Sequence, residues 1–353
     1  MKRVNTMQGL VTVLAFWLAA AGLFAAAVPL EIREELALQM TQAKLEADLG
    51  HFDSASQLFS SVAEDDTAPA NMRWEALVRL GLARNAAGDY QGGSEAFRQV
   101  TASFADDPEA IRLLTFAVAG TTPGKNWIGL GRQFEDLLSN AEIVSVEELI
   151  MGENRPMRVY LAQEDIELRA IFRPEALRAD DPKDRGTYGI AAYEMDKLLD
   201  LEMVPPVVQR AIEGQTGTLQ LWVEGCEVYK GTEQLRRAAS DLDRQRSRIQ
   251  TFDSLIGYRD RNVMQILVAP DGDIVIVDHT RSFPDSVALG DLPDRFDREL
   301  VRNLRTLDRQ DLESALAEVL NDQEIEAVLG RRDALLSQVD DLVAEKGEAQ
   351  VFF

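Results

Sequence analysis

Residues 252–283 read FDSLIGYRDRNVMQILVAPDGDIVIVDHTRSF, and the interpretation of the whole chain turns on them. The stretch opens as the end of a helix and passes through an acidic-basic loop, Arg259-Asp260-Arg261. It closes as a tight hairpin. Residues 265–269 and 274–277 are apolar, β-branched runs, and Asp271-Gly272 between them is a strong two-residue turn signal. Asp278 follows directly on the second run. A carboxylate at the end of a buried strand is held rigidly and can ligate a hard cation such as Mg²⁺. Asp260 taken alone belongs to a solvated charge cluster. With the hairpin and Asp278 in register, it becomes the second carboxylate of a candidate site. His279 suits a hydrogen-bonding role behind Asp278 better than the role of a base.

Beyond the hairpin, apolar residues recur at helical spacing over 296–307, 311–320 and 322–343, with Asp322 as a suitable N-cap. Before it, the period is strand-like from Glu142 onward. Runs at 143–150, 158–161 and 166–172 form an antiparallel meander with turns at 152–154 and 163–165. Residues 188–201 read as a helix with Ala191, Met195, Leu198 and Leu199 on one face. Two further strands follow around Glu213-Gly214.

Residues 31–119 are rich in good helix formers and repeat a pattern. Gly50-His51-Phe52 and Gly88-Asp89-Tyr90 each separate two helices, and Phe59 and Phe97 stand seven residues after the aromatic. The period is 38, close to the roughly 34 of the tetratricopeptide repeat, which the pattern resembles. Glycine ends the first helix and the aromatic packs in the seam. Two roles stay open for this region: a groove for a protein partner, or a brace for the second domain. Residues 120–140 form a turn-rich connector and one amphipathic helix over 127–140.

The length of 353 residues suggests about two domains. A formal net charge of −23 argues against nucleic acid as a partner, since such a partner requires surplus Lys and Arg. Lys2 and Arg3 precede an apolar run over 10–27, and Ala25 and Ala27 fit an A-x-A cleavage site. Residues 1–27 are therefore a cleaved export signal or a retained membrane anchor. Either places the rest outside the cytoplasm, in the periplasm of a bacterial cell, with this segment as its only membrane contact. Cys226 is the single cysteine, so neither an internal disulfide nor a zinc cluster is available, and it reads as a packed thiol.

The order strand, glycine turn, strand, strand ending in a cation, helix, strand, strand is that of a kinase N-lobe. With Ala191-Ala192-Tyr193 through Pro206, and Gly217 through Glu224, residues 141–353 resemble the atypical kinases. That group includes HipA-type bacterial kinases, phosphatidylinositol kinases and the secreted Golgi casein kinase family. The resemblance implies an α+β chain: N-terminal α-helical hairpin repeats, then a two-lobed kinase-like domain with a small β lobe and an α-helical C-lobe. It implies ATP and Mg²⁺ as cofactors, Asp260 at the acceptor hydroxyl, Asp278 and Gln265 on the metal, and Arg173 on the phosphates under a loop carrying Gly152.

The chain departs from that family at several places. Gln265 stands where the family has asparagine and Arg173 where it has lysine. Gly189 occupies the place of the glutamate that pairs with that cation, with Glu194 one turn on as its substitute. The covering loop has the single glycine Gly152. Two functions are compatible with this pattern. One is an exported phosphotransferase of weakened activity with a protein-binding helical module. The other is an inactive pseudokinase that scaffolds an envelope complex.

Overall fold

The computed structural model describes residues 30–149, 156–175, 185–230 and 242–353. The expected signal at 1–27 and Gly152 lie outside the described residues. Among the described residues, no helix is long and apolar enough to cross a membrane.

Six helices come first: α1 Leu30–Asp48, α2 Phe52–Glu64, α3 Ala70–Ala87, α4 Tyr90–Ser103, α5 Pro108–Val118 and α6 Gly131–Asn140. Gly50 and Gly88 follow α1 and α3 with φ of 79° and 86°, the left-handed conformation that glycine adopts without steric cost. Phe59 and Phe97 are buried between helices. The Phe97 ring lies against Gly81, where an added Cβ would stand 2.3 Å from it. The helix expected over 127–140 forms only from Gly131. Gly129 is left-handed (φ 70°) and sits against Thr101, so residues 127–130 turn instead.

The sheet comprises β1 Glu142–Glu148, β2 Met157–Gln163, β3 Ile166–Pro174, β4 Val207–Ile212 and β5 Gln215–Leu221, in the order β1-β2-β3-β5-β4 with antiparallel neighbours. Helix α7 (Tyr188–Leu199) lies between β3 and β4 in the chain and ends at left-handed Asp200. A second sheet of order β6-β7-β8 joins β6 Glu227–Val228 to the hairpin of β7 Ile266–Val268 and β8 Ile274–Ile276. The turn is looser than expected. Gly272 N–H donates to Ala269 O (2.9 Å) and is left-handed, which makes a three-residue loop of Pro270, Asp271 and Gly272.

Helix α8 (Leu242–Ile256) precedes the hairpin, and α9 Arg298–Thr306, α10 Arg309–Leu316, α11 Asp322–Lys346 and α12 Glu348–Val351 come after it. Asn321, not Asp322, caps α11: its side chain accepts from the N–H groups of Gln323 and Glu324, and Glu324 completes a capping box. Asp297, fully buried, caps α9 and takes Arg244 and, at 2.8 Å, Arg248; against the effect of burial, Arg244 first and then the Leu300 N–H and Arg248 hold its carboxyl below the usual range. Arg331 is buried without solvent contact and donates to the carbonyls of Leu255 and Pro284, which ties α11 to the end of α8.

Two apolar cores organise these elements. The first runs from Leu36 of α1 through Trp127 and Phe134 of the connector into Val159, Leu161, Phe172 and Leu219 of the five-stranded sheet. The second unites α7, α8 and the C-terminal helices. Packing is therefore continuous across residues 120–141, where the sequence suggests a boundary. The hairpin serves both cores through the period-2 alternation of a strand: Val275 belongs to the first, Ile274 and Ile276 to the second.

Candidate functional site

A cleft lies where the two cores meet. Arg173, Thr218 and Gln220 line it from β3 and β5, Gly186 and Gly189 from the start of α7, and Asp278 and Thr280 from just beyond β8. The space it encloses is about 10 Å³, room for about one water molecule.

Asp278 is left-handed, with φ of 63°. Such a backbone is uncommon outside glycine, tolerated best by Asp and Asn, and concentrated where the surroundings enforce it. Its carboxylate takes Gln265 Nε2 at 3.3 Å and Thr280 Oγ1 at 3.3 Å. The loop before the hairpin is stapled in place by Arg261. That guanidinium pairs with both carboxylate oxygens of Asp253 on α8 (2.6 and 3.0 Å) and donates to Val277 O at 2.9 Å. Burial pushes the Asp253 carboxyl up, while Arg261 opposes it. Asp260 stands on the same loop with its side chain 62% exposed and accepts from Arg281 at 2.7 Å.

His279 is 1% exposed, its ring near those of Phe252 and Tyr258. Burial first, then the charges of Arg261 and Arg173, hold it well below the ordinary imidazole range. A neutral ring in that setting is no proton shuttle. Among the described residues, neither ring nitrogen has a hydrogen-bond partner. A buried polar group left so costs about 1–3 kcal/mol, and one facing a cleft is suited to a bridging water or a bound group.

The expected site residues fall into three sets. Arg173, Asp278 and Gln265 converge on or beside the cleft, and Asp260 is carried by the adjoining loop. Glu194 is not brought to Arg173. It pairs with Lys197 (2.8 Å), which also takes Glu135 of α6 (2.9 Å), so its face of α7 is turned toward the connector helix. Gly189 lines the cleft in its place, without a carboxylate, and Arg173 donates to Gln220 Oε1 at 3.3 Å. Gly152 is outside the described residues.

The donor set bears on a metal. Among the described residues, no three His, Cys, Asp or Glu side chains are grouped to hold an ion. One carboxylate, the Thr280 hydroxyl and an amide fit Mg²⁺ in the form that keeps waters and shares substrate phosphates, not a protein cage. Gln265 presents its NH₂ to Asp278, while its Oε1 accepts from Asn262 N–H (3.1 Å). Ligation by that oxygen requires the amide to turn and give up the Asn262 bond.

Sequence reasoning passed over Thr218 and Gln220. Both are buried, and they alternate with Leu219 and Leu221 along β5. Polar residues on one face of a fully buried strand were the available signal.

No protein-family model matches the chain, and no curated protein matches it. Among solved structures it is similar to a Golgi casein kinase at 14% identity and a TM-score of 0.47, over 63% of this chain and 77% of that one. It is similar to the Golgi casein kinase with Mn/ADP bound at the same identity and score, over 64% and 79%. A likeness of this size assigns no activity.

Proposed function

We propose that the chain is an atypical-kinase-like phosphotransferase, acting outside the cytoplasm on a hydroxyl acceptor with ATP as donor. The observation that carries this reading is the meeting in one cleft of Arg173, on β3 of the five-stranded sheet, and Asp278, two residues beyond β8 of the second sheet. Cation and carboxylate there suit a polyphosphate and its metal. When bound, Mg²⁺ would neutralise charge on the phosphates, held by Asp278 and, after its amide turns, Gln265. Arg173 binds phosphate oxygens, steadied by Gln220. Asp260, exposed beside the cleft, orients the acceptor hydroxyl and takes its proton. The acceptor oxygen bonds to the terminal phosphorus as the bond from that phosphorus to the departing ADP oxygen breaks. The helical region would serve a protein partner.

Specific observations favour a second reading, a pseudokinase scaffold. The Gln265 oxygen is engaged, no glutamate among the described residues is paired with Arg173, and the cleft admits a nucleotide only if sheet and hairpin part. Thermal stabilisation by millimolar ATP, with and without Mg²⁺, tests both. The enzyme reading expects stabilisation that needs Mg²⁺ and is lost in Asp278→Asn. It also expects phosphotransfer reduced by a hundredfold or more in Asp260→Ala with nucleotide binding retained. Binding without transfer supports the scaffold, and the absence of any shift removes the phosphotransferase and leaves a scaffold that takes no nucleotide.

A further inference from the structure

The helical region reaches the hairpin that carries Asp278. Ser94 on α4 donates to Asp271 at 2.9 Å, and Arg98 on α4 pairs with Asp273 at 3.3 Å. Lys125, from the connector, pairs with the same Asp273 carboxylate at 3.4 Å, and its side chain is only 8% exposed. Beside it, Gly124 N–H bonds Glu224 O just after β5 (3.0 Å), and a Cβ added to Gly124 would stand 3.6 Å from Ala269 and 3.7 Å from the Asp271 carboxylate. From the other side α8 holds the turn: Gln245 donates to Gly272 O at 3.3 Å and accepts from Ile274 N–H at 2.7 Å.

The contact continues along β8. Ile276 N–H donates to Met203 O (3.0 Å), and the segment at Met203 is held by Asp196, which accepts from the N–H groups of Met203 and Val204. Lys125 acts electrostatically on Asp196 and on Glu202 as well as on Asp273. A single poorly solvated cation thus offsets carboxylates on α7, on the segment after it and on the hairpin turn. At low exposure such attraction is weakly screened. Two residues beyond Ile276 comes Asp278, and across the cleft stands Arg173.

We propose that Lys125, with Arg98, is a positioning residue of the candidate site: it fixes the β7–β8 hairpin against the helical region and so sets where Asp278 stands relative to Arg173. The role of Asp278 rests on the function proposed above; the mechanical link does not. A partner that shifts α4 would thereby alter the site without touching it.

Amide hydrogen exchange on the full chain tests the link. Lys125→Met and Arg98→Gln are each expected to speed exchange about tenfold over residues 266–278, leaving α11 unchanged. Lys125→Arg and Arg98→Lys are expected to restore protection. Arg98 is the more exposed of the two, so its variant keeps the test open if Lys125→Met fails to fold. No local change, or an equal rise throughout the chain, overturns the proposal. Where the wild type shows Mg²⁺-dependent nucleotide binding, the variants should weaken that binding about tenfold and leave metal-free binding as it was. Equal loss in both overturns the positioning role. A wild type that binds no nucleotide refutes the phosphotransferase reading, while the exchange result still decides this one.

Discussion

At the scale of single residues, burial decides which ionisable groups are chemically alive. Cys226 is held up at about 12 by burial first and then by the Asp271 charge. It is a protonated thiol at neutral pH. We expect disulfide exchange with a chromogenic disulfide at pH 8 to run at least tenfold slower in the folded chain than in denaturant, allowing for the greater intrinsic nucleophilicity of a high-pKa thiolate. Asp196 is the opposite instance of a group poised to titrate. Burial pushes it up to about 7, against two backbone N–H groups and Lys125. Between about pH 4, where the unfolded carboxyl ionises, and about pH 7, where the folded one does, the native state holds the extra proton. Stability therefore falls as pH rises through that window and levels off above it, by about 4 kcal/mol from this group. Asp196→Asn keeps an acceptor for Met203 and Val204. Urea titrations from pH 4 to 8 should show a flatter profile than wild type, with the variant's advantage greatest at the alkaline end. The left-handed backbone of Asp278 matters for experiment too. Alanine there adds strain to the loss of the carboxylate, so asparagine is the cleaner probe.

At the scale of elements, the join between helices and sheet is set by backbone contact. Gly120, after α5, is left-handed (φ 70°), and a Cβ on it would stand 1.8 Å from the backbone oxygen of Glu167 on β3. Gly120→Ala is expected to cost about 2–4 kcal/mol, combining overpacking with left-handed strain. Chemical denaturation measures it, and an unchanged midpoint would show that the join yields freely. The elements themselves were legible because their signals are local: alternation marked β2 and β3, and helical spacing marked α7 and the C-terminal helices. The hairpin was read to within a residue, although its turn has three residues where Asp271-Gly272 suggested two. What failed was direction. Glu194 lies on the helix where sequence placed it, but which neighbour a helix face meets depends on packing. Here that neighbour is α6 and its Glu135. The helix expected from Trp127 begins late, at Gly131, because Gly129 must fit against Thr101, a contact 28 residues distant in the chain. Thr218 and Gln220 were missed because polar residues in a strand read as solvent-facing until the far side is known to be covered.

At the scale of the whole molecule, the sequence suggested a module joined by a connector to a second domain. The structure has instead two cores that divide the chain differently, with the five-stranded sheet on the side of the helices. Thermal unfolding of the full chain is expected to be a single calorimetric transition, its calorimetric and van't Hoff enthalpies equal. Two resolved peaks would mean that the cores melt apart.

The alternation of Val275 with Ile274 and Ile276 has a practical corollary. A strand of three residues is common property of both halves, so the molecule offers no clean place to be cut. A fragment beginning at residue 141 would keep every group of the proposed site and lose the covering of the apolar face behind Phe172 and Leu219. It would also lose Lys125 and Arg98 from the hairpin turn. Such a fragment should be insoluble or misassembled when made alone, and recoverable when residues 30–140 are supplied as a separate chain. The chemistry, in other words, is not portable: it travels with its helices or not at all.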